Sequence, residues 1–311
     1  MLNSMSEDLK KSVSNGHEKM VISQEEQAKI TEVRRLIGVL SDKASVYCSD
    51  ASISRYLRSQ NWNVKKAAQM LKRSLKWRKE YKPEEIRWEE IAEEAETGVM
   101  YRPNYYDKFG RSMIVMRPCC QNSKTTEGLI KYLVYCMENA ILNLPPQQEQ
   151  MVWLIDFHGV KMSNISFKAA RETIHILQEY YPQRLGLALL YNAPMFFQPF
   201  FSMLKPFVET EVYNKIKFGY SNHHNTKKIV KDLFDMDSLE SAFGGDGDTG
   251  FDMNKYAERM KEEDNKTLSF WTQTKLDANS DASNNKKIDC SPVPNPDQDI
   301  LVAQRDIKAF G

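Results

Sequence analysis

The residues that could do chemistry in this chain do not form a recognisable catalytic set. The sequence lacks G-x-S-x-G, H-E-x-x-H, a Walker A loop and G-x-G-x-x-G, the signatures of common hydrolases, metalloproteases and nucleotide-binding enzymes. His158 follows a predicted strand in IDFHGV, where α/β proteins often place functional groups. Because no serine or cysteine nucleophile is recognisably paired with it, a structural histidine is the better interpretation. We predict no catalytic residues and a protein that is not an enzyme.

A metal or cofactor site is not indicated either. The segment Gly244–Asp248 is rich in glycine, but it carries acids where a phosphate-binding loop needs exposed N–H groups and a lysine. It also fails as a calcium loop, because Phe251 stands where the loop requires glycine. The five cysteines contain no C-x-x-C pair and no zinc spacing. We therefore expect a flexible connector here, no metal and no cofactor.

The charge distribution provides one candidate surface. The 311 residues contain 43 Lys and Arg against 42 Asp and Glu, which argues against a nucleic-acid-binding protein coated in positive potential. The segment Arg55–Lys82 nevertheless holds ten basic residues and one acidic residue. Two interpretations stay open: a solvated helix face neutralised by its acidic neighbour, and a patch attracted to anionic membrane.

The strongest anomaly is the phenylalanine-rich segment Met195–Val208, MFFQPFFSMLKPFV. As a helix it places its apolar side chains on two stripes, one with Phe196, Phe200, Met203, Leu204 and Phe207, the other with Phe197, Phe201 and Val208. A helix that is apolar on two sides is either wholly buried or turns one side to an apolar ligand or a membrane. Both interpretations stay open at this level.

Periodic patterns indicate the elements that must position these residues. Up to about residue 97 the apolar spacing predicts helices alone, at Gln24–Leu40, Asp50–Ser59, Val64–Tyr81 and Trp88–Glu96. From about residue 98, short apolar runs predict strands at Met113–Met116, Met151–Phe157, Leu185–Tyr191 and Lys215–Tyr220. Helical stretches lie between them, at Glu127–Leu144, Phe167–Tyr181 and the phenylalanine-rich segment. This alternation predicts an α/β fold, with a small all-helical amino-terminal domain followed by a largely parallel sheet covered by helices.

The domain organisation follows from these patterns and from the composition of the two ends. We predict disordered tails at 1–22 and 276–311, because both are polar and the second is rich in Asn, Asp, Ser and Pro. The helical domain takes residues 23–97, the α/β domain residues 98–250, and a carboxy-terminal helical segment residues 251–275. The first twenty residues contain no apolar run, so no signal peptide is predicted and we expect a cytoplasmic protein.

Several segments, in this order along the chain, resemble one family. They are LRSQNWNVKKAAQMLKRSLKWRKEY, DKFGRSMIV, VWLIDFHGV, YYPQRLGLALLYNAPMFFQPFFSMLKPF and LESAFGG. Over about residues 25–245 the chain closely resembles the CRAL-TRIO family of lipid-binding proteins, and within it a plant-type member of the yeast secretory phosphatidylinositol/phosphatidylcholine transfer group. The resemblance implies an apolar lipid cavity closed by a mobile gating helix. The phenylalanine-rich helix stands at the gate position, with Phe196, Phe197, Phe200, Phe201, Met203, Leu204 and Phe207 as gate residues.

The resemblance also implies which residues contact the lipid head group. Relatives that transfer phosphatidylinositol have Glu where this chain has Gln183, beside Arg184, and they keep a Lys on the following strand that is here Lys215. Gln183 still donates and accepts hydrogen bonds, but it supplies no negative charge. The Arg-Lys pair of the relatives' L-R-A-R-K-F motif is Gln60-Asn61 in this chain, which removes two cations that would help to hold phosphate.

The positions implied for choline binding are changed as well. Phosphatidylcholine binders of the same group carry Ser and Thr where this chain has Met151 and Trp153, and neither side chain replaces a hydroxyl acceptor. Tyr105 and Tyr106 preserve part of an aromatic surface suited to choline. Together, the changes predict a lipid-binding protein with altered or weakened phosphoinositide selectivity.

The predicted function is to bind a single phospholipid or related apolar lipid in the cavity and to transfer or present it between membranes. A diacyl lipid that buries about thirty CH₂ groups at about 0.8 kcal/mol each does not simply diffuse into water, so the gate must open in contact with a bilayer. Two alternatives stay open: a lipid-responsive signalling adaptor, and a carrier of a sterol, an isoprenoid or a porphyrin. The expected partners are the phospholipid ligand, a transiently contacted membrane and a phosphoinositide kinase or signalling protein, with no nucleic acid and a monomeric state.

Overall fold

The computed structural model describes residues 23–122, 125–247 and 250–284, and the surroundings of side chains up to Thr272. Within this part of the chain, the residues up to Thr272 form one compact unit, and a second unit begins at Gln273. The predicted tail 1–22 and the section of the second predicted tail beyond Asn284 lie outside the described residues.

Helices alone build the amino-terminal part, as the sequence predicts. They are α1 (Gln24–Ile37), α2 (Asp42–Tyr47), α3 (Asp50–Ser59), α4 (Val64–Tyr81) and α5 (Ala92–Ala95). At the starts of α1, α3 and α4, the side-chain oxygens of Ser23, Ser49 and Asn63 accept hydrogen bonds from backbone N–H groups. Such capping is the usual way to begin a helix. These helices pack around a core of their own, which includes Ile30, Val33, Ile53, Leu57, Ala67 and Leu71.

Two predicted helices end or begin elsewhere in the structure. The first ends at Ile37 instead of Leu40, because Gly38 takes a positive φ of 81° that leaves the helical conformation. The predicted helix Trp88–Glu96 is instead a 3₁₀ turn at Trp88–Glu90 followed by the single turn α5. Short 3₁₀ turns commonly serve as connectors, and sequence periodicity does not separate them from α-helix.

A sheet with mostly parallel strands forms the α/β part and confirms the predicted fold class. The strands are β1 (Met100–Tyr101), β2 (Ser112–Met116), β3 (Met151–Asp156), β4 (Leu185–Tyr191) and β5 (Ile216–Gly219). They lie in chain order, with β1 antiparallel to β2 and every other neighbouring pair parallel. The flanking helices are α6 (Thr126–Leu142), α7 (Phe167–Tyr180), α8 (Phe197–Leu204), α9 (Thr210–Lys215), α10 (His224–Leu233) and α11 (Met253–Asn284).

Connection rules determine which face of the sheet these helices cover. Parallel neighbours in chain order are joined by right-handed crossovers, so α6, α7 and α8 belong on the same face, and each contacts the next. The last helix contributes Tyr256 and Met260 to the core that also contains the strands. Within the described residues, no helix combines the length and the apolarity that crossing a bilayer requires.

The phenylalanine-rich segment and the last strand differ from their predicted bounds. The α-helix covers Phe197–Leu204 and gives way to a 3₁₀ turn at Lys205–Phe207, because Pro206 has no N–H to donate to the preceding turn. Lys215, predicted to start a strand, is instead the last residue of α9, and β5 begins at Ile216. The i,i+4 ion pair between Glu211 and Lys215 supports this final helical turn.

Candidate functional site

The candidate site is the sheet face beneath α8. Cross-strand register aligns Trp153 with Ala188, and Ile155 with Leu190 and then with Phe218, so these apolar side chains share one face. The ring of Phe197 lies 4.4 Å from that of Phe157, and the ring of Phe201 lies 5.5 Å from that of Phe218. The described contacts between α8 and the sheet are therefore contacts of aromatic rings, which are not directional in the way that hydrogen bonds are.

One side chain on this face is incompletely buried, and another lacks a hydrogen-bond partner. Ile155 stands on the central strand, on a face covered by helices, and yet it is only partly buried. Trp153 is 6% exposed, and its indole Nε1 is sealed from solvent without a hydrogen-bond partner in the part of the chain that the structure describes. Because an unpaired buried donor costs about 1–3 kcal/mol, this N–H is a place where a polar group of a ligand would be stabilised.

The gate residues divide between the interior and the surface. Phe197, Phe200 and Leu204 are buried, whereas Phe196 and Phe201 are partly buried. The inward side of α8 thus takes members of both predicted stripes, and its outer side carries Gln198, Pro199, Ser202 and Met203. The helix is consequently less apolar on its outer side than the sequence pattern suggests.

Apolar side chains remain exposed around α8. Met195 is 90% exposed and Met203 is 57% exposed, and Phe167, Phe207 and Tyr213 are also exposed; we call these five the outer residues. Two cations accompany them: the guanidinium of Arg171 lies 4.7 Å from the centre of the Phe207 ring, and the ammonium of Lys205 lies 5.0 Å from that of Tyr213. Exposed apolar groups fringed by cations are suited to an anionic membrane surface.

Gln183 and Lys215, both predicted to contact the head group, meet at a small cavity of about 20 Å³. They do not contact each other directly, because Glu211 stands between them. Its Oε2 accepts from Nε2 of Gln183 at 2.5 Å, and its Oε1 accepts from Nζ of Lys215 at 2.5 Å. Glu209 lines the same cavity, so the cavity wall carries two carboxylates and one ammonium group.

Glu211 is the residue that the sequence reasoning missed. The resemblance directs attention to position 183, where Gln stands in this chain, and a carboxylate from another element occupies the space instead. One signal was available: Glu211 and Lys215 are four residues apart, the spacing of an ion pair on a helix. Predicting a strand at Lys215 concealed it, because residues four apart do not form such a pair along a strand.

Arg184 faces a different cavity from its neighbour Gln183. It lines a cavity of about 150 Å³ between α3, α4, α6 and α11, and its Nη1 donates to the backbone carbonyl of Glu149 at 2.9 Å. The structure thus separates two residues that the sequence reasoning assigned to one head-group site. The positive φ of 62° at Gln183 is where the chain turns between the two cavities.

The remaining predicted ligand residues are dispersed. Gln60 follows Ser59, which lines the cavity of about 20 Å³, but the Gln60 amide donates to the sulfur of Met70 at 3.3 Å. Asn61 is exposed with a positive φ of 49° in the turn between α3 and α4. Met151 is fully buried in β3. None of the three lines either of the two cavities.

Tyr105 and Tyr106 do not line either of the two cavities. The hydroxyl of Tyr106 donates to the carbonyl oxygen of Asn143 at 2.8 Å, and its ring is exposed. The hydroxyl of Tyr105 is sealed from solvent, and burial together with Glu240 raises its pKa. Among the described residues, no group of three or more His, Cys, Asp and Glu side chains could hold a metal ion.

The fold is that of an α/β protein with a helical amino-terminal part. One apolar face of its mostly parallel sheet is closed by an aromatic helix. Residues 95–245 match the CRAL/TRIO domain. A CRAL-TRIO domain-containing protein of Schizosaccharomyces pombe is 34% identical over 211 residues, which cover 68% of this chain and 20% of the relative. These matches do not test the plant-type subgroup, which stays a prediction.

Three further comparisons agree with this family. The phosphatidylinositol transfer protein PDR17 of Saccharomyces cerevisiae is 30% identical over 59% of this chain and 57% of its own length. The SEC14 cytosolic factor of Kluyveromyces lactis is 28% identical over 72% of this chain and 79% of its own. The crystal structure of Sfh5 superposes with a TM-score of 0.56 and 18% identity, covering 71% of this chain and 78% of that one. The chain thus spans 20% of the Schizosaccharomyces pombe relative and 57% of PDR17.

Proposed function

We propose that this protein binds a single phospholipid or related apolar lipid between its sheet and α8, and transfers or presents that lipid between membranes. The carrying observation is the apolar sheet face beneath α8, which aromatic ring contacts close. Such a face matches the acyl chains of a lipid. The names of the yeast relatives, which include a phosphatidylinositol transfer protein, support the same class of ligand.

Loading requires α8 to move. The cavities near the Tyr181–Arg184 turn have volumes of about 150 and 20 Å³, whereas sites for drug-sized ligands take about 300–1,000 Å³. Ring contacts can separate without breaking hydrogen bonds, and the 3₁₀ turn at Lys205–Phe207 interrupts the helix where a hinge is useful. The apolar cavity is then formed as the lipid enters, and the indole N–H of Trp153 gains an acceptor.

The outer residues provide the surface on which this movement takes place. Met195 precedes α8 and Met203 lies on it, and these two are the most exposed of the five. Insertion of these side chains into a bilayer removes apolar area from water, and Arg171 and Lys205 lie close enough to meet lipid phosphates. We accordingly propose a cytoplasmic monomer that contacts membranes transiently and works with a phosphoinositide kinase or signalling partner.

We propose that the head-group site does not strongly prefer phosphatidylinositol. Glu211 already forms an ion pair with the ammonium of Lys215, and Glu209 adds a second negative charge to the cavity wall. An anionic phosphodiester with a neutral sugar must compete with these carboxylates, whereas a choline group is attracted by them. Phosphatidylcholine is therefore favoured over phosphatidylinositol at this site.

The test is to identify the lipid that the purified protein retains. The full-length protein is incubated with vesicles that contain phosphatidylcholine and phosphatidylinositol, separated from them, and analysed by native mass spectrometry, and transfer between donor and acceptor vesicles is measured in parallel. One lipid per chain, with phosphatidylcholine in excess over its share in the vesicles, is the expected result. A protein that retains no lipid and accelerates no transfer would contradict the proposal.

A further inference from the structure

The larger cavity, of about 150 Å³, is separate from the proposed lipid site and has a different chemical character. It lies among the amino-terminal helices, the turn that contains Arg184, and the last helix. Much of its wall is aromatic, with Tyr47, Tyr56, Tyr180, Tyr181, Phe270 and Trp271. Its charged lining consists of three arginines and one glutamate.

Two of these arginines already have carboxylate partners. Arg78 donates to both oxygens of Glu138 at 2.7 and 3.0 Å, and Arg55 donates to Glu149 at 2.7 Å. The hydroxyl of Tyr181 donates to Glu138 at 2.7 Å. These charged groups are therefore paired and hydrogen-bonded, as buried charges require.

Arg184 is the third arginine, and it has no carboxylate partner within hydrogen-bonding distance among the described residues. Its one described hydrogen bond goes to the backbone oxygen of Glu149, which leaves most of the five N–H donors of a guanidinium for water or a ligand. Burial, and next the positive charge of Arg55, lower the pKa of Arg184. Glu149 and Glu138 offset only part of this lowering, and a further negative charge in the cavity would raise the pKa of Arg184 again.

The charge balance around the cavity supports the same conclusion. Four guanidiniums, of Arg55, Arg58, Arg78 and Arg184, face three carboxylates, of Glu84, Glu138 and Glu149. Lys43 lies 3.7 Å from Glu84 and 2.5 Å from Glu85, so this additional pair of charges leaves the excess unchanged. A cavity lined by three guanidiniums and one carboxylate, in which the Arg184 guanidinium has no carboxylate partner among the described residues, is suited to an oxyanion.

We infer that this cavity binds a phosphate-sized oxyanion on the Arg184 guanidinium. Tyr181 and Pro182 line both this cavity and the one at Gln183 and Lys215. An anion held by Arg184 therefore contacts the same turn that presents Gln183 to a lipid head group. The ion can be free phosphate or the phosphate of a lipid head group, and the two sources are distinguished by experiment.

The test measures thermal unfolding of the full-length protein in increasing inorganic phosphate, with chloride replaced to hold ionic strength constant. An ion that binds only the folded state raises the unfolding temperature in a saturable way. Phosphate at high concentration also stabilises proteins generally by exclusion from their surface. Comparison of the wild type with variants therefore separates specific binding from this general effect. We expect saturation at low millimolar phosphate in the wild type, and its loss in Arg184→Gln.

Two further variants guard against a trivial result. Ile141→Trp fills part of the cavity from the α6 side without changing any charge, and it should lose the saturable rise even if Arg184→Gln folds poorly. Arg35→Gln removes an exposed arginine of α1 that is 68% exposed, and it should keep the rise. Equal responses of the wild type, Ile141→Trp and Arg184→Gln would overturn the inference.

A second arm identifies the source of the anion. In phosphate-free buffer, vesicles of phosphatidylcholine doped with phosphatidic acid are compared with vesicles of phosphatidylcholine alone. Stabilisation by free phosphate without vesicles assigns the site to a soluble ion, and stabilisation by phosphatidic acid alone assigns it to a lipid phosphate. Either effect must disappear in Ile141→Trp, and protection by neither probe would overturn the inference.

Discussion

At the scale of single residues, Glu211 determines what the head-group position offers. Its carboxylate joins Gln183 and Lys215 at 2.5 Å each, although its side chain is 41% exposed. It therefore both neutralises the ammonium and supplies the negative charge that Gln183 lacks. A single partly exposed carboxylate is thus hydrogen-bonded to a residue 28 positions earlier in the chain.

Glu211→Gln should release Lys215 for a lipid phosphate. We expect the ratio of phosphatidylinositol to phosphatidylcholine loading to rise by about 1.4- to 5-fold, since a partly exposed ion pair contributes about 0.2–1 kcal/mol. Mass spectrometry of the lipids retained after incubation with mixed vesicles measures the ratio. Glu172→Gln, an exposed glutamate of α7, is the matched control, and an equal change in both variants would remove Glu211 from the site.

At the scale of elements, α8 and the residues beside it carry the proposed membrane contact. Phe200 is buried, so a charge introduced there would test folding as well as docking. Met203 is 57% exposed on the same helix, and it can be changed without disturbing the core.

Met203→Asp should weaken association with anionic vesicles by about tenfold, because it removes an inserting apolar side chain and adds a charge of the wrong sign. Vesicle sedimentation with the full-length protein provides the measurement. Leu268→Asp places the same charge on an equally exposed apolar residue of α11, and it should leave association unchanged. If Met203→Asp associates like the wild type, α8 does not contact the bilayer.

A second prediction at this scale concerns the ion pair between α4 and α6. Burial acts to raise the pKa of Glu138, but Arg78 outweighs it, and the pKa is lowered from the ordinary value of 4.5. A lowered pKa in the folded state stabilises the protein above the ordinary value, and this stabilisation is lost as the pH falls through the folded-state pKa.

Glu138→Gln should reduce the free energy of unfolding by about 3–5 kcal/mol near neutral pH, since it leaves Arg78 buried without its bidentate partner. Urea unfolding at neutral pH and in acid below the lowered folded-state pKa of Glu138 tests this. The difference between wild type and variant should narrow in acid, where Glu138 is protonated in both folded and unfolded chains. A difference that is constant with pH would contradict the assignment.

At the scale of the whole molecule, the last helix lies outside the family match and completes the core of the α/β part. The CRAL/TRIO match ends at residue 245, but Tyr256 and Met260 belong to the same core as the strands. Asp264 accepts from the backbone N–H of Trp88 at 2.7 Å and from the hydroxyl of Tyr135 at 3.0 Å. The helix therefore links the amino-terminal part to the α/β part.

A chain that ends at Gly250 should consequently fail to fold cooperatively, whereas one that ends at Thr272 should fold like the full-length protein. Truncation before α11 exposes the core and leaves the backbone N–H of Trp88 unpaired, at a cost of about 1–3 kcal/mol for that group alone. Circular dichroism and urea unfolding of the two truncated chains provide the comparison. A cooperative transition in the shorter chain would show that α11 is dispensable.

Local patterns in the sequence determined the order of elements and the covering of the sheet by helices. The apolar runs at Met151–Phe157 and Leu185–Tyr191 predict β3 and β4 to within one residue, because strand burial leaves a direct mark on composition. The end of α8 at Leu204 and the start of β5 at Ile216, one residue after Lys215, were not predicted. Their bounds depend on proline and ion-pair effects that act within a single turn.

The composition of the site was decided by the tertiary structure alone. Gln183 and Arg184 are neighbours in sequence, yet one meets Glu211 and the other faces a separate cavity, because a positive φ at Gln183 turns them apart. Strand register and helix docking bring together side chains that no local period relates. The sequence alone therefore determined a class of protein, and the folded chain determined which charges its ligand would meet.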